Sequence, residues 1–148
     1  MDTDRTPLAF ALDIPFVQAL GMQLWRFDSG IAEVSLEVRP EMLNSWQVAH
    51  GGVVMTLLDV VMAHAARSQR DAAEHGAPGI VTLEMKTSFM RPATGRLVAT
   101  GHLLHGGRST AFCEGSVRDA RGDLCAHATG TFKFLSPRER AADGGTAS

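Results

Sequence analysis

Val53-Val54-Met55-Thr56-Leu57-Leu58-Asp59-Val60-Val61-Met62-Ala63-His64-Ala65-Ala66-Arg67-Ser68 is the stretch on which the fold turns. Its apolar residues leave almost no polar face, and a helix apolar nearly all round is a buried one. Introduced by Gly51-Gly52, it runs about 24 Å at 1.5 Å per residue, long enough to cross a small domain. One carboxylate, Asp59, sits in its middle, with no other acid between Glu41 and Asp71. Placing a carboxylate there costs several kcal/mol unless it is hydrogen-bonded or its pKa rises. Asp59 is therefore either a packing residue bonded to a neighbour such as Thr56 or His64, or a group kept for chemistry.

On both sides of the helix the pattern changes. Upstream, residues 13–21 read as a short helix with Asp13 as N-cap, Pro15 in the first turn and Gly21 as the stop. Residues 23–27 and 32–38 flank Asp28-Ser29-Gly30. In the second of these, Ala32, Val34, Leu36 and Val38 alternate with Glu33, Ser35 and Glu37, which predicts a hairpin with one wet face. Downstream, a polar connection spans 67–78. Segments 80–90, 96–104, 110–118 and 124–134 then have strand composition with turn residues between them, which predicts an antiparallel meander. The polar tail 139–148 is expected to be disordered.

One sheet and one apolar helix have a single economical arrangement: α+β, a curved antiparallel sheet wrapped around the helix. The 148 residues, 45% hydrophobic and 20% charged, suit one domain with its core at about 16–135. A helix this apolar still exposes surface after one sheet covers it, so a partner subunit is expected and the chain should be at least a homodimer.

Composition also excludes. With 16 acidic against 14 basic residues the net charge is −2, so the basic footprint of a nucleic-acid binder is missing. There is no tyrosine, which removes any mechanism built on a phenol. Cys113 and Cys125 are too few for a disulfide scaffold and fit a reducing cytoplasm. MDTDRTPLAF carries acids where a secretory signal needs positive charge, and no apolar run approaches a membrane span of roughly 20 residues. A cytoplasmic protein with no membrane partner is expected.

Just before the helix lies Asn44-Ser45-Trp46-Gln47-Val48-Ala49-His50-Gly51-Gly52. The glycines allow another molecule close to the backbone, and a helix N-terminus offers unpaired N–H groups and a positive dipole end. This outlines a carbonyl or oxyanion site, or else a plain loop-to-helix transition. Neither GxGxxG nor a Walker Gly-Lys-Ser/Thr is present, so phosphate binding is disfavoured. Asp59 follows Gly51 by eight residues, about 12 Å of rise, too far for both to touch one reacting carbon in one subunit. If two helices pack antiparallel, Asp59 of one approaches Gly51 of the other, and a composite site spans two subunits.

Asn44, His50-Gly51-Gly52, Asp59 within an apolar helix, and Gly76-Ala77-Pro78-Gly79 leading a strand together resemble hotdog-fold acyl-CoA thioesterases of the PaaI-like, 4-hydroxybenzoyl-CoA thioesterase group. The resemblance covers roughly 16–135. It implies hydrolysis of a thioester to a carboxylic acid and free coenzyme A, with no metal or other cofactor, in a homodimer or homotetramer. It implies for Asp59 the role of activating water or attacking the carbonyl. Gly51 would polarise the thioester oxygen through its N–H, and Asn44 would help hold that carbonyl or the water. His50 is implied to order the loop, beside Gly52. Some relatives carry a Ser or Thr that places the water, at a helix position that is Ala63 here or a strand position that is Val81 here. Thr82 stands beside the latter and would serve if the register shifts by one.

The remaining candidates are weaker. Arg91, Arg96 and Arg108 at strand ends or turns suit either coenzyme A phosphates or a solvated rim. Trp46 and Phe16 suit either an acyl pocket or the core. His64 lies five residues past Asp59, out of helical register for a tight pair. His102 and His105, three apart on a strand, should face opposite ways, and with no His-x-x-x-His or Cys-x-x-Cys a metal site is not expected. Two rival functions remain: a non-catalytic module that binds acyl-CoA, and a hotdog dehydratase or hydratase. Turnover separates the first, and water addition against thiol release the second.

Overall fold

The computed structural model describes residues 4–70, 79–136 and 138–139. The elements run α1 (Pro15–Leu20), β1 (Gln23–Asp28), β2 (Ile31–Glu37), a 3-10 turn (Pro40–Met42), α2 (Gly51–Ser68), β3 (Gly79–Phe89), β4 (Arg96–Gly106), β5 (Thr110–Arg118) and β6 (Leu124–Leu135). One antiparallel sheet, ordered β1-β2-β4-β5-β6-β3, wraps α2, which is the α+β hotdog arrangement expected from the sequence.

The meander is only partly present. Strands β4, β5 and β6 follow one another as hairpins, but β3 pairs with β6 at the far edge and β2 pairs with β4. The segment around Pro92 therefore crosses from one side of the sheet to the other instead of turning a hairpin. Strand patterning finds strands and says little about which of them are neighbours.

The α2 helix begins at Gly51, so both glycines belong to its first turn. Leu57, Leu58, Val61 and Met62 are fully buried, each contributing on the order of 2 kcal/mol by leaving water. The helix lies close to the sheet because Gly101 and Gly115 sit directly opposite each other on β4 and β5. A Cβ on Gly101 would stand 2.5 Å from the Val61 carbonyl oxygen, and one on Gly115 would stand 3.1 Å from Met62 Cγ. The other end of α2 is tied to the first hairpin, where Ser68 Oγ accepts from Gly30 N at 2.9 Å. Ser29 and Gly30 both have positive φ, at 51° and 77°, the tight turn that matches strand twist.

Local expectations need four further corrections. Asp13 does not cap α1. Ile14 holds the cap position with no side-chain bond, and Asp13 Oδ1 accepts from Gln18 Nε2 instead. The wet face of β2 is interrupted, because Trp25 Nε1 donates to Ser35 Oγ at 2.7 Å and the indole covers a buried serine. A bulge at Leu104 sets His102 opposite Glu114 and His105 opposite Phe112, so the two histidines share a face. Glu139 pairs with Lys133 Nζ at 2.9 Å in a short helical turn. The Gly76-Ala77-Pro78 connection and the tail from 140 onward lie outside the described residues. Among the described residues, no helix is long and apolar enough to cross a membrane.

Candidate active site

The loop before α2 is shaped by Asn44. Its Oδ1 accepts from Trp46 N at 2.9 Å and Val48 N at 3.3 Å, while its backbone N–H donates to Val48 O. These bonds fold residues 44–48 into a turn and deliver His50 to the N-cap of α2. There His50 Nδ1 accepts from Gly52 N at 2.9 Å, so the histidine spends its acceptor on the helix end and takes up the Gly52 donor. Among the described residues, no acceptor pairs with the Gly51 N–H. It stays available at the positive end of an 18-residue helix. Phe89 edges it, 3.5 Å from where a Gly51 Cβ would lie.

Asn44, Gly51 and Arg91 line one cavity of about 360 Å³, together with Phe89 and Cys125. Arg91 is anchored there by donating to Leu124 O at 3.1 Å.

Asp59 belongs elsewhere. It opens into a different cavity, of about 370 Å³, lined also by Thr82, Phe16, Met55, His64 and Arg67. Neither Thr56 nor His64 holds it: Thr56 Oγ1 donates to Gly52 O, and His64 Nδ1 bonds Val60 O. Its partner is Thr82, whose Oγ1 donates to Asp59 Oδ1 at 2.6 Å. Burial pushes the Asp59 carboxyl above the usual aspartate range, and the Thr82 hydrogen bond partly opposes that by favouring the anion. The strand position facing the acid is thus Thr82 and not Val81. A bulge at Leu83 sets the register beyond it.

The candidate residues therefore fall into two separate cavities of one chain: Asn44, Gly51 and Arg91 in one, Asp59 and Thr82 in another. Phe16 lines the Asp59 cavity, whereas Trp46, 83% exposed on the Asn44 loop, lines neither. Arg108 is an exposed residue of the β4–β5 turn, and its carbonyl accepts from Arg70. Among the described residues, no group of three or more His, Cys, Asp and Glu is placed to hold a metal ion.

Arg67 was not singled out by the sequence reading, which put it in the polar connection. It is 4% exposed and lines the Asp59 cavity. Its signal was the position of the one formal cation within an otherwise buried helix.

Comparison with known proteins adds a family to this geometry. Residues 47–126, which contain His50, Gly51, Asp59 and Thr82, match the family described as the thioesterase superfamily. The medium/long-chain acyl-CoA thioesterase YigI of Escherichia coli is 28% identical over 136 residues, covering 83% of this chain and 87% of that protein. The acyl-coenzyme A thioesterase PaaI of Escherichia coli is 37% identical over 95 residues, 63% of each chain. The solved structure of the Escherichia coli PaaI protein superposes with a TM-score of 0.74 at 26% identity, covering 84% of this chain and 86% of that one.

Proposed function

We propose, from the premise that the chain belongs to the thioesterase superfamily, that it hydrolyses acyl-CoA thioesters to a carboxylic acid and free coenzyme A at a site shared between two subunits. The class, thioester hydrolase, comes with the family and with relatives named as acyl-CoA thioesterases. The observation that carries the site assignment is the half-buried Asp59, with its raised pKa and hydroxyl partner, at the mouth of an apolar cavity.

In this reading Gly51 N–H of one subunit, with Asn44, binds the thioester carbonyl oxygen and stabilises the charge that develops on it. A single such donor is worth on the order of a hundredfold in rate. Asp59 of the other subunit either takes a proton from water as its oxygen attacks the carbonyl carbon, or attacks that carbon itself. The C–S bond then breaks. In the first route coenzyme A leaves as the thiol with the proton taken from water. In the second it leaves as the thiolate, after which water opens the acyl–aspartyl anhydride, freeing the acid and Asp59 and passing a proton to the thiolate. Thr82 holds the carboxylate in place. His50 shapes the loop, Gly52 completes the cap, and Arg91 and Arg108 are cations for the coenzyme A phosphates. The chemistry needs no metal or cofactor.

A homodimer, alone or doubled to a tetramer, supplies the second half-site. Met55, Asp59 and Ala63 form a helix face that the sheet leaves open, and β3 is an edge strand with Leu83 and Phe89 exposed, both features that suit a second copy. Free, buried Cys113 and Cys125 suit a reducing cytoplasm. The test is release of free thiol from a panel of acyl-CoAs by the wild type and by Asp59→Asn. We expect hydrolysis by the wild type and a loss of about a hundredfold or more in the variant. Equal rates would remove Asp59 from the mechanism.

A further inference from the structure

The wall of the Asp59 cavity includes a cation that has no counter-ion among the described residues. Arg67 is 4% exposed, and among the described residues no carboxylate lies within ion-pair distance of it and its Nε has no hydrogen-bond partner. Its neighbour is Phe27, whose ring centroid lies 5.9 Å from the guanidinium carbon. His64, beside it on the same wall, is 3% exposed and held neutral by burial, with Nε2 also unpartnered. An isolated buried guanidinium costs several kcal/mol. Burial alone gives no reason to keep an arginine there, since a methionine would fill similar space without that cost.

Both groups line the cavity into which Asp59 and Thr82 open. Arg67 stands eight residues beyond Asp59 on α2, about 12 Å of helix rise. Helical side chains lean toward the N-terminus, the direction of the acid along α2, and Arg67 and His64 also line a second cavity of about 280 Å³, shared with Leu24 and Phe27. Between them the lining is apolar: Val60 and Ala63 on the helix, Ile80 and Met85 on β3. The cavity wall thus combines a carboxylate, apolar surface for methylenes and a cation with no ion-pair partner among the described residues.

We infer that the acyl group hydrolysed here carries a carboxylate at its far end, the substrate being the half-thioester of a dicarboxylic acid whose free carboxylate pairs with Arg67. This rests on the thioesterase reading above and names its substrate class. The planar fork of arginine binds a carboxylate through two parallel hydrogen bonds, which an ammonium cannot do. A water retained with the carboxylate donates one hydrogen to it and the other to the bare His64 Nε2.

The experiment compares kcat/KM across three matched series of straight-chain acyl-CoAs of about four to ten carbons, ending in a carboxylate, a hydroxyl or a methyl group. The wild type should favour the carboxylate series over both others by about tenfold or more at its best length. In Arg67→Met that ratio should fall to unity or invert, and Arg67→Lys should keep a reduced preference of the same sign. The ratio within one variant is insensitive to partial loss of folded protein, and thermal melting checks the fold separately. Preference for methyl or hydroxyl ends, or a ratio unchanged in Arg67→Met, overturns this inference while leaving the hydrolase reading intact. No hydrolysis of any thioester overturns both.

Discussion

Thr82 on β3 donates a 2.6 Å hydrogen bond to Asp59 on α2, joining the edge strand of the sheet to the carboxylate in the middle of the central helix. This bond favours the ionised acid against the burial that disfavours it. Thr82→Val should therefore move the acid limb of the kcat/KM profile to higher pH, and Thr82→Ser should restore it. A pH profile from 4 to 9 reads this directly. A variant that changes only the plateau would make Thr82 a packing residue.

Asp59→Asn should lose activity and gain stability. The folded-state pKa of Asp59 lies above its unfolded value. Its contribution to stability is thus fully present below the unfolded pKa near 3.8 and is lost as pH rises through the folded pKa. At neutral pH the wild type holds a partly buried charge that the amide does not. Melting temperatures should show the variant above the wild type at pH 7 and the gap closing toward pH 4.

If each site is built from two subunits, inactive variants complement each other. Random mixing of Asp59→Asn with Asn44→Ala subunits makes half the dimers hybrid, each with one intact site of two, so about a quarter of wild-type activity should return. Exchange verified by mass with no recovery would place the whole site in one chain.

His64 sets an acid limit on stability. Burial lowers its pKa from 6.5 to about 4, so its contribution is complete above the unfolded value and is lost as pH falls from about 6.5 to 4, where the unfolded chain takes a proton that the folded chain refuses. The loss amounts to about 3 kcal/mol across that window. Urea denaturation at several pH values should show it in the wild type, and His64→Leu should flatten it.

Gly101→Ala should destabilise by roughly 2 kcal/mol or more, since the added Cβ meets the Val61 carbonyl, and backbone yields less readily than a side chain. Gly122→Ala, whose Cβ meets nothing within 4 Å, serves as the comparison, costing only the strain of its positive φ.

Most of the architecture was legible because α2 has no polar face and the strands carry their turn residues with them. Strand order was not, since β3 reaches β6 by a crossover that no local pattern encodes. The Asn44, Gly51 and Asp59 spacing could be read along the chain, and helix rise alone separated Gly51 from Asp59. The partner of Asp59 could not, because Thr82 reaches it only through the strand placement and register of the folded sheet. Arg67 was misread for a different reason: a cation at a helix end is ordinarily solvated, and only the packed structure shows this one enclosed beside Phe27 and His64.

Strand order also carries a consequence for biosynthesis. β3 has one neighbour, β6, with Gly79 opposite Leu135 and Phe89 opposite Ala126. A nascent chain that has emerged through β5 has already made Asp59 and Thr82, yet it lacks the strand that holds them together. Pairing so distant in sequence forms late. The acid gains its hydroxyl partner only when β6 closes the sheet, so an incomplete chain on the ribosome carries an apolar helix whose one carboxylate is still without the Thr82 hydrogen bond.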